Sequence, residues 1–201
     1  MSILSRPNWL YKPINVDNLQ TIQKEFQHIH TTYMNDLFDI AGKDIDRLWK
    51  IDKDLIQTHA PTFIELLKKL NLLDRWALTA FSPTVATYTK SMVHIDNVDR
   101  NIRSYGLNLP VQNCKDSYTV FYETKGEGTC GIMPWYKDSP CFLGHEVIGE
   151  LGRLPASQPA FVNVSYPHGS LSDHGDFRLL ISTRFFPEIH DYNFDLLDFN
   201  T

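Results

Sequence analysis

The chain has 201 residues, enough for one substantial domain and short for two, and 42% hydrophobic with 21% charged residues is a globular composition that excludes wholesale disorder. Its 19 Lys+Arg against 24 Asp+Glu give a net charge of −5 with no basic stretch, which argues against general nucleic-acid binding. No apolar run reaches the roughly 18 residues of a membrane span, and Met1 to Pro7 lack the charged-then-apolar pattern of a secretory leader, so a cytoplasmic protein is expected.

In chain order, the first 75 residues read as helix. Leu19, Ile22, Phe26, Ile29, Tyr33, Leu37 and Ile40 recur every three or four positions, which predicts an amphipathic helix within Val16–Ile40, with Asp17 as a cap. His28 and His30 sit two apart on it, point to different faces, and are expected at the surface. A second helix is predicted from Pro61, in its first position, through Leu70. From Trp76 the period changes to that of strands: Ala77–Thr89, Tyr105–Val111, Tyr118–Glu123, Phe142–Ile148, Ala160–Tyr166 and Phe177–Phe186. Turn residues separate them, as in Asn113-Cys114-Lys115-Asp116 and Lys125-Gly126-Glu127-Gly128. Short strands so spaced imply a sandwich or barrel. The expected organisation is a single domain over 1–201: a helical brace (1–75), a β core (76–187) and a C-terminal tail (188–201) that packs back.

Cys114, Cys130 and Cys141 form no CxxC pair, so a disulfide scaffold or structural zinc site is not expected, and reduced buried thiols are. Asn163-Val164-Ser165 has the form of a glycosylation sequon and, with no leader ahead of it, reads as coincidence.

Three features carry chemistry. In His94-Ile95-Asp96 an extended backbone turns an imidazole and a carboxylate to one face. His168 stands at the end of a predicted strand, and is preferred as a further ligand over His174, which sits in a polar turn. Arg178 opens the apolar stretch to Phe186, where a buried guanidinium is costly unless it meets an anion. Alternation puts Arg178, Leu180, Ser182 and Arg184 on one face of that strand and Phe177, Leu179, Ile181 and Phe185 on the other. Asn108 alternates with Leu107 and Leu109 and is expected to face inward, with Tyr122 doing so from the next strand. His145 reads as a strand histidine. Arg100 and Arg103, in the loop after the histidine–aspartate pair, and Trp135 and Tyr136 are candidates for a substrate mouth.

The ordered set of His94-x-Asp96, His168 and Arg178 ten residues later resembles the iron(II)/2-oxoglutarate-dependent oxygenases. The resemblance spans roughly residues 75 to 187. The line from His168 to Phe186 is similar to the last two core strands of the prolyl-hydroxylase-like branch. Gly106 to Cys114, followed by Thr119 to Tyr122, is similar to the strand pair after the histidine–aspartate motif in small bacterial and viral members. The resemblance implies a mainly β fold, a double-stranded β-helix (jelly-roll, cupin-like barrel) braced by N-terminal α-helices. It implies Fe(II) held by His94, Asp96 and His168, with 2-oxoglutarate and O2 as co-substrates. It assigns the far carboxylate of 2-oxoglutarate to Arg178 with help from Ser182; the inward-facing Asn108 and Tyr122 are then expected either to contact 2-oxoglutarate or to support the groups that do. The implied activity is that of a dioxygenase, a hydroxylase of a small molecule or a peptide side chain that releases succinate and CO2. The carboxylate of Asp96, where halogenating relatives have a small residue, favours hydroxylation. A cupin-like zinc hydrolase and a non-catalytic binding module are alternatives on the same fold.

Overall fold

The computed structural model describes residues 9–34, 49–84, 93–96, 104–126, 129–132, 140–143, 146–172, 178–187, 189 and 192–194. Within them the apolar period of the N-terminal part folds as predicted into a helix, α1 (Leu19–Tyr33), whose Ile22, Phe26 and Ile29 are buried. Two details differ from the expectation. Asn18 rather than Asp17 is the N-cap residue, and Asp17 makes an exposed ion pair with Lys69 at 2.8 Å. His30 is buried, its ring edge-on to Phe81 at 5.6 Å, and burial lowers its pKa, while His28 lies exposed. Residues 35–40, the expected end of the helix, lie outside the described residues.

Two short helices follow. Helix α2 (Lys53–His59) is capped by Asp52, whose side chain accepts from the Asp54 N–H, and α3 (Pro61–Lys69) begins with Pro61 as expected. Seven residues are too few to show a helical period, so α2 was not legible in the pattern. The first 75 residues are also not all helix. They supply strands β1 (Tyr11–Pro13) and β2 (Trp49–Ile51), each three residues long and specified by its pairing partner rather than by its own sequence.

The β part contributes β3 (Trp76–Thr84), β4 (His94–Ile95), β5 (Tyr105–Gln112), β6 (Ser117–Lys125), β7 (Thr129–Ile132), β8 (Pro140–Leu143), β9 (Glu146–Pro155), β10 (Ala160–Asn163), β11 (His168–Ser172) and β12 (Arg178–Phe185). The stretch Phe142–Ile148, expected as one strand, is divided between β8, which pairs with β4 and β7, and β9, which pairs with β6. All pairs are antiparallel, in two six-stranded sheets ordered β1-β10-β5-β12-β3-β2 and β7-β8-β4-β11-β6-β9. The chain passes from one sheet to the other at β3–β4–β5–β6 and again at β9–β10–β11–β12. The quartets β10-β5-β12-β3 and β4-β11-β6-β9 therefore face one another as a jelly roll, the double-stranded β-helix.

The first sheet is buried on both faces. Leu107, Leu109 and Val111 of β5, Leu179, Ile181 and Phe185 of β12, and Phe161 of β10 face the helices and join Ile22, Phe26, Ile29, Ile56, Phe63 and Leu67 in one core. Ile189 and Phe194 are buried in it too, and Tyr192 packs against it and donates its hydroxyl to the Leu70 carbonyl at 2.9 Å. The opposite face of β12 meets the second sheet, where Leu180 packs with Cys114 and Ala156. Cys114 is a buried free thiol, and the side chains of Cys130 and Cys141 lie outside the described residues. Asn163 is buried, its amide donating to the Trp9 carbonyl, so the sequon is unavailable to modification in the fold. No described helix is long and apolar enough to cross a membrane.

Phe26 is fully buried and packs edge-on against Phe63 at 5.2 Å and Phe81 at 6.1 Å, linking helix to helix and helix to sheet. Phe26→Ala should cost about 3–5 kcal/mol of stability. A shifted urea midpoint at unchanged slope measures it, and a loss below ~1 kcal/mol would mean the brace is not packed as described.

Candidate metal centre

Strand β4 is only two residues long, yet its register places the site. His94 pairs directly opposite His168, the first residue of β11, and directly opposed residues share a face. Their imidazole centroids are 4.4 Å apart. His168 therefore opens a strand rather than ending one, because the strand begun at Ala160 stops at Asn163 and the chain reverses through Ser165–Pro167. Asp96, just past β4, is held by its N–H donating to the Val164 carbonyl at 3.2 Å, and it turns to the same side as His94.

Three ligand atoms converge there. Asp96 Oδ1 lies 3.1 Å from His94 Nε2 and 3.8 Å from His168 Nε2, and the ligand atoms of the three residues all fall within 4.8 Å of one another. Among the described residues no other group of three such side chains does so. His168 Nδ1 donates to the Tyr166 carbonyl at 2.8 Å, which fixes the tautomer and leaves the lone pair on Nε2. Burial, with His94 alongside, pushes the His168 pKa down to about 4, so the ring is neutral and fit to bind a cation. Burial alone would raise the Asp96 pKa. The Arg184 guanidinium and the hydrogen bond from His94 override it and hold the carboxyl well below the usual range. The neutral His168 ring, the His94 ring beside it and the ionised Asp96 carboxylate offer two nitrogens and one oxygen on one side of a point, a donor set that suits a divalent transition metal, Fe(II) among them, with other positions left open.

Arg184 faces this side, as the alternation along its strand predicts, and it has a partner that the sequence alone does not reveal. Its Nε donates to Asp96 Oδ2 at 3.1 Å, its Nη2 donates to the same oxygen, and its Nη1 donates to Ser182 Oγ at 2.5 Å. Ser182 Oγ in turn donates to Asn108 Oδ1 at 2.8 Å. Asn108 thus faces the space between the sheets, as alternation requires, and is directly opposite Ser182 in the register.

Arg178 is buried, with 1% of its surface exposed, on the same face of β12. Its Nη2 donates to Ser170 Oγ at 3.3 Å. Ser182, expected beside Arg178, is four residues away, about 13 Å of strand, and its hydroxyl is engaged by Arg184 and Asn108; Ser170 takes the expected place. Ser170 lies on β11, five residues of mixed polarity in which no alternation singles out an inward serine. Arg178 also lies near Cys114, whose thiol pKa burial raises and the guanidinium partly offsets.

Tyr122 is a correction. Phe121 on β6 faces inward, its ring 6.3 Å from that of His168, so alternation turns Tyr122 to the outer face. There burial and then Glu150 raise its pKa, with Arg153 opposing, and Arg153 itself lies over the ring of Tyr118 on that outer face. Arg100, Arg103, Trp135, Tyr136, His145 and His174 lie outside the described residues.

No family model matches the chain, and no curated protein does. Among solved structures it is similar to the non-heme alpha ketoglutarate dependent carbocyclase SnoK from nogalamycin biosynthesis, at 10% identity and TM-score 0.46, over 92% of this chain and 85% of that one. It is similar to the epimerase SnoN in complex with Fe3+, alpha ketoglutarate and nogalamycin RO, at 12% identity and TM-score 0.43, over 87% and 77%. A third likeness is to AviO1 from Streptomyces viridochromogenes Tue57, at 10% identity and TM-score 0.39, over 87% and 86%.

The pKa of His168 sets a stability window for the metal-free protein. The group titrates near 6.5 when unfolded and at about 4 when folded, so the unfolded chain binds more protons between those values. The stability it confers is complete above 6.5 and is lost as pH falls toward about 4, with His94, Asp96 and Arg184 as the charged or titratable groups facing it. Melting temperatures after chelation should fall through that window in the wild type and fall less in His168→Gln. Parallel curves for the two would place the titrating group elsewhere.

Proposed function

We propose that the chain is a non-haem iron(II)- and 2-oxoglutarate-dependent dioxygenase that hydroxylates a small molecule or a protein side chain, releasing succinate and CO2. The observation that supports it is the order of side chains along the inner face of β12, set against β11. At one end Arg184 meets Asp96 of the triad. In the middle Leu180 packs with Cys114 and Ala156. At the other end Arg178 meets Ser170. Polar, apolar and polar groups follow one another, as carboxyl, methylene and carboxyl groups do in a five-carbon diacid.

Ser170 lies two residues beyond His168 on the same face of β11, about 7 Å along the strand. A 2-oxoglutarate whose keto-acid end meets the triad would set its methylenes against Leu180 and its far carboxylate on Arg178 and Ser170. A guanidinium suits that carboxylate, because its fork pairs two oxygens and it does not lose its charge. His94, Asp96 and His168 would hold the iron, which supplies the redox chemistry that couples decarboxylation of the co-substrate to substrate oxidation by O2. The protein keeps His168 neutral, keeps Asp96 ionised, and closes the co-substrate end with the apolar packing around Leu180. Asn108 and Ser182 line the same inner face and act on the site through Arg184. A zinc hydrolase would use the triad and leave the Arg178–Ser170 end without a task.

Anaerobic Fe(II) titration and succinate release under air test the reading. His94→Ala and Asp96→Ala should lose Fe(II) binding. Arg178→Ala should retain Fe(II) and bind 2-oxoglutarate about 10–100-fold more weakly, the worth of a charged hydrogen bond lost in a buried site. Undiminished co-substrate affinity in Arg178→Ala would overturn the assignment of the anion end. A wild type that neither binds Fe(II) nor forms succinate would overturn the enzyme.

A further inference from the structure

We infer that Gly106 is a positioning residue: its missing Cβ is the space through which Arg184 reaches Asp96, and the grip of Arg184 makes Asp96 a ligand through one oxygen only. The inference rests on the reading of His94, Asp96 and His168 as metal ligands.

Gly106 and Arg184 are directly opposed in the pairing of β5 with β12. A Cβ built on Gly106 would stand 2.9 Å from Arg184 Cζ and closer still to Nη1, whereas the nearest backbone atom, the Thr183 carbonyl oxygen, is 3.4 Å away. The backbone thus tolerates a side chain at 106, and the guanidinium does not. Nor does backbone conformation call for glycine, since Gly126 is the described glycine with positive φ. Glycine within a strand is unfavourable, and its presence there marks the close approach of another group. Here that group is a charged side chain lying across the strand.

The two strands form a matched device. On β5, Gly106-x-Asn108 offers a gap and then an anchor; on β12, Ser182-x-Arg184 offers the link and the cation. Asn108 accepts from Ser182, Ser182 accepts from Arg184 Nη1, and Nε and Nη2 of Arg184 both hold Asp96 Oδ2. Oδ1 is left toward Nε2 of His94 and His168. With Oδ2 occupied by charged donors, Asp96 does not turn to chelate a metal with both oxygens. Chelation would consume a position that a bidentate co-substrate needs.

Co(II) serves as the probe, because its visible absorption reports both affinity and coordination number. Gly106→Ala and Arg184→Met should each weaken Co(II) binding about 10–100-fold, as loss of the partners that orient a metal ligand does, and should shift the visible band in the same way. In the Arg184→Met background, Gly106→Ala should add nothing, because no guanidinium remains to be displaced. Wild-type Co(II) affinity and spectrum in Gly106→Ala, or an equal loss in both backgrounds, would overturn the inference while leaving the triad intact. Should Gly106→Ala alone fail to fold, recovery of folding in the double variant supports the inference and failure to recover overturns it. A wild type that binds no Co(II) overturns the metal reading itself, and this inference with it.

Discussion

Strand β12 carries Leu179, Ile181, Thr183 and Phe185 on one face, with the Thr183 hydroxyl paired to that of Thr79, and Arg178, Leu180, Ser182 and Arg184 on the other, and the pleat of a strand permits no exchange between them. A slip of one residue would put Arg178, Ser182 and Arg184 against Phe26 and Leu67 of the helices, at a desolvation cost no neighbouring group could offset. The register with β3 and β5 is therefore fixed by the strand's own composition. Once it is fixed, Leu179, Ile181 and Phe185 must be covered by something apolar, which the helices provide. The polar row must face something polar, which His168, Ser170 and Asp96 provide from the other sheet. The helical brace and the candidate metal centre are two consequences of one alternating strand.

Much of this was legible in the sequence because alternation and spacing are local. The β12 faces, the inward Asn108, the shared face of His94 and Asp96, and the α1 period follow from residues within one element. What was not legible depends on partners. Ser182 and Ser170 are equivalent on paper, each a serine on an inward face, and only the offset between β11 and β12 decides which one meets Arg178. Tyr122 faces outward because Phe121, its neighbour in the strand, takes the inner side next to His168. Strands β1, β2 and β4 carry too few residues for any pattern, and exist because an adjacent strand offers an edge. His30 shows the same limit, since a helix face that looks polar from its own sequence can still be covered by Phe81.

The pairing of His94 with His168 joins two of these distant partners. The two residues of β4 gain little from their own ladder, and the Val164 carbonyl extends the hold by accepting from the Asp96 N–H. Val164 is itself buried beside Phe121, Ala160 and Val162, so an apolar cluster sets the height of the carboxylate. The ligands are thus positioned by well-packed neighbours more than by the strand they sit on, in line with the rule that a precise site needs a rigid second layer.

Asp96, Arg178 and Arg184 bring one negative and two positive charges onto the inner faces, Arg178 fully buried and the other two partly so. Arg184 and Asp96 neutralise one another at the triad. A divalent metal held by the triad would add positive charge at that end, and Arg178 holds positive charge at the other, with the apolar Leu180 between. An anion with a charge at each end, separated by methylene groups, offsets both, whereas a neutral ligand or a single water offsets neither. The same arithmetic explains why Asp96 should bind through one oxygen. Its second oxygen already answers Arg184, and releasing it would leave a partly buried guanidinium without its anion at the moment a metal would add further positive charge.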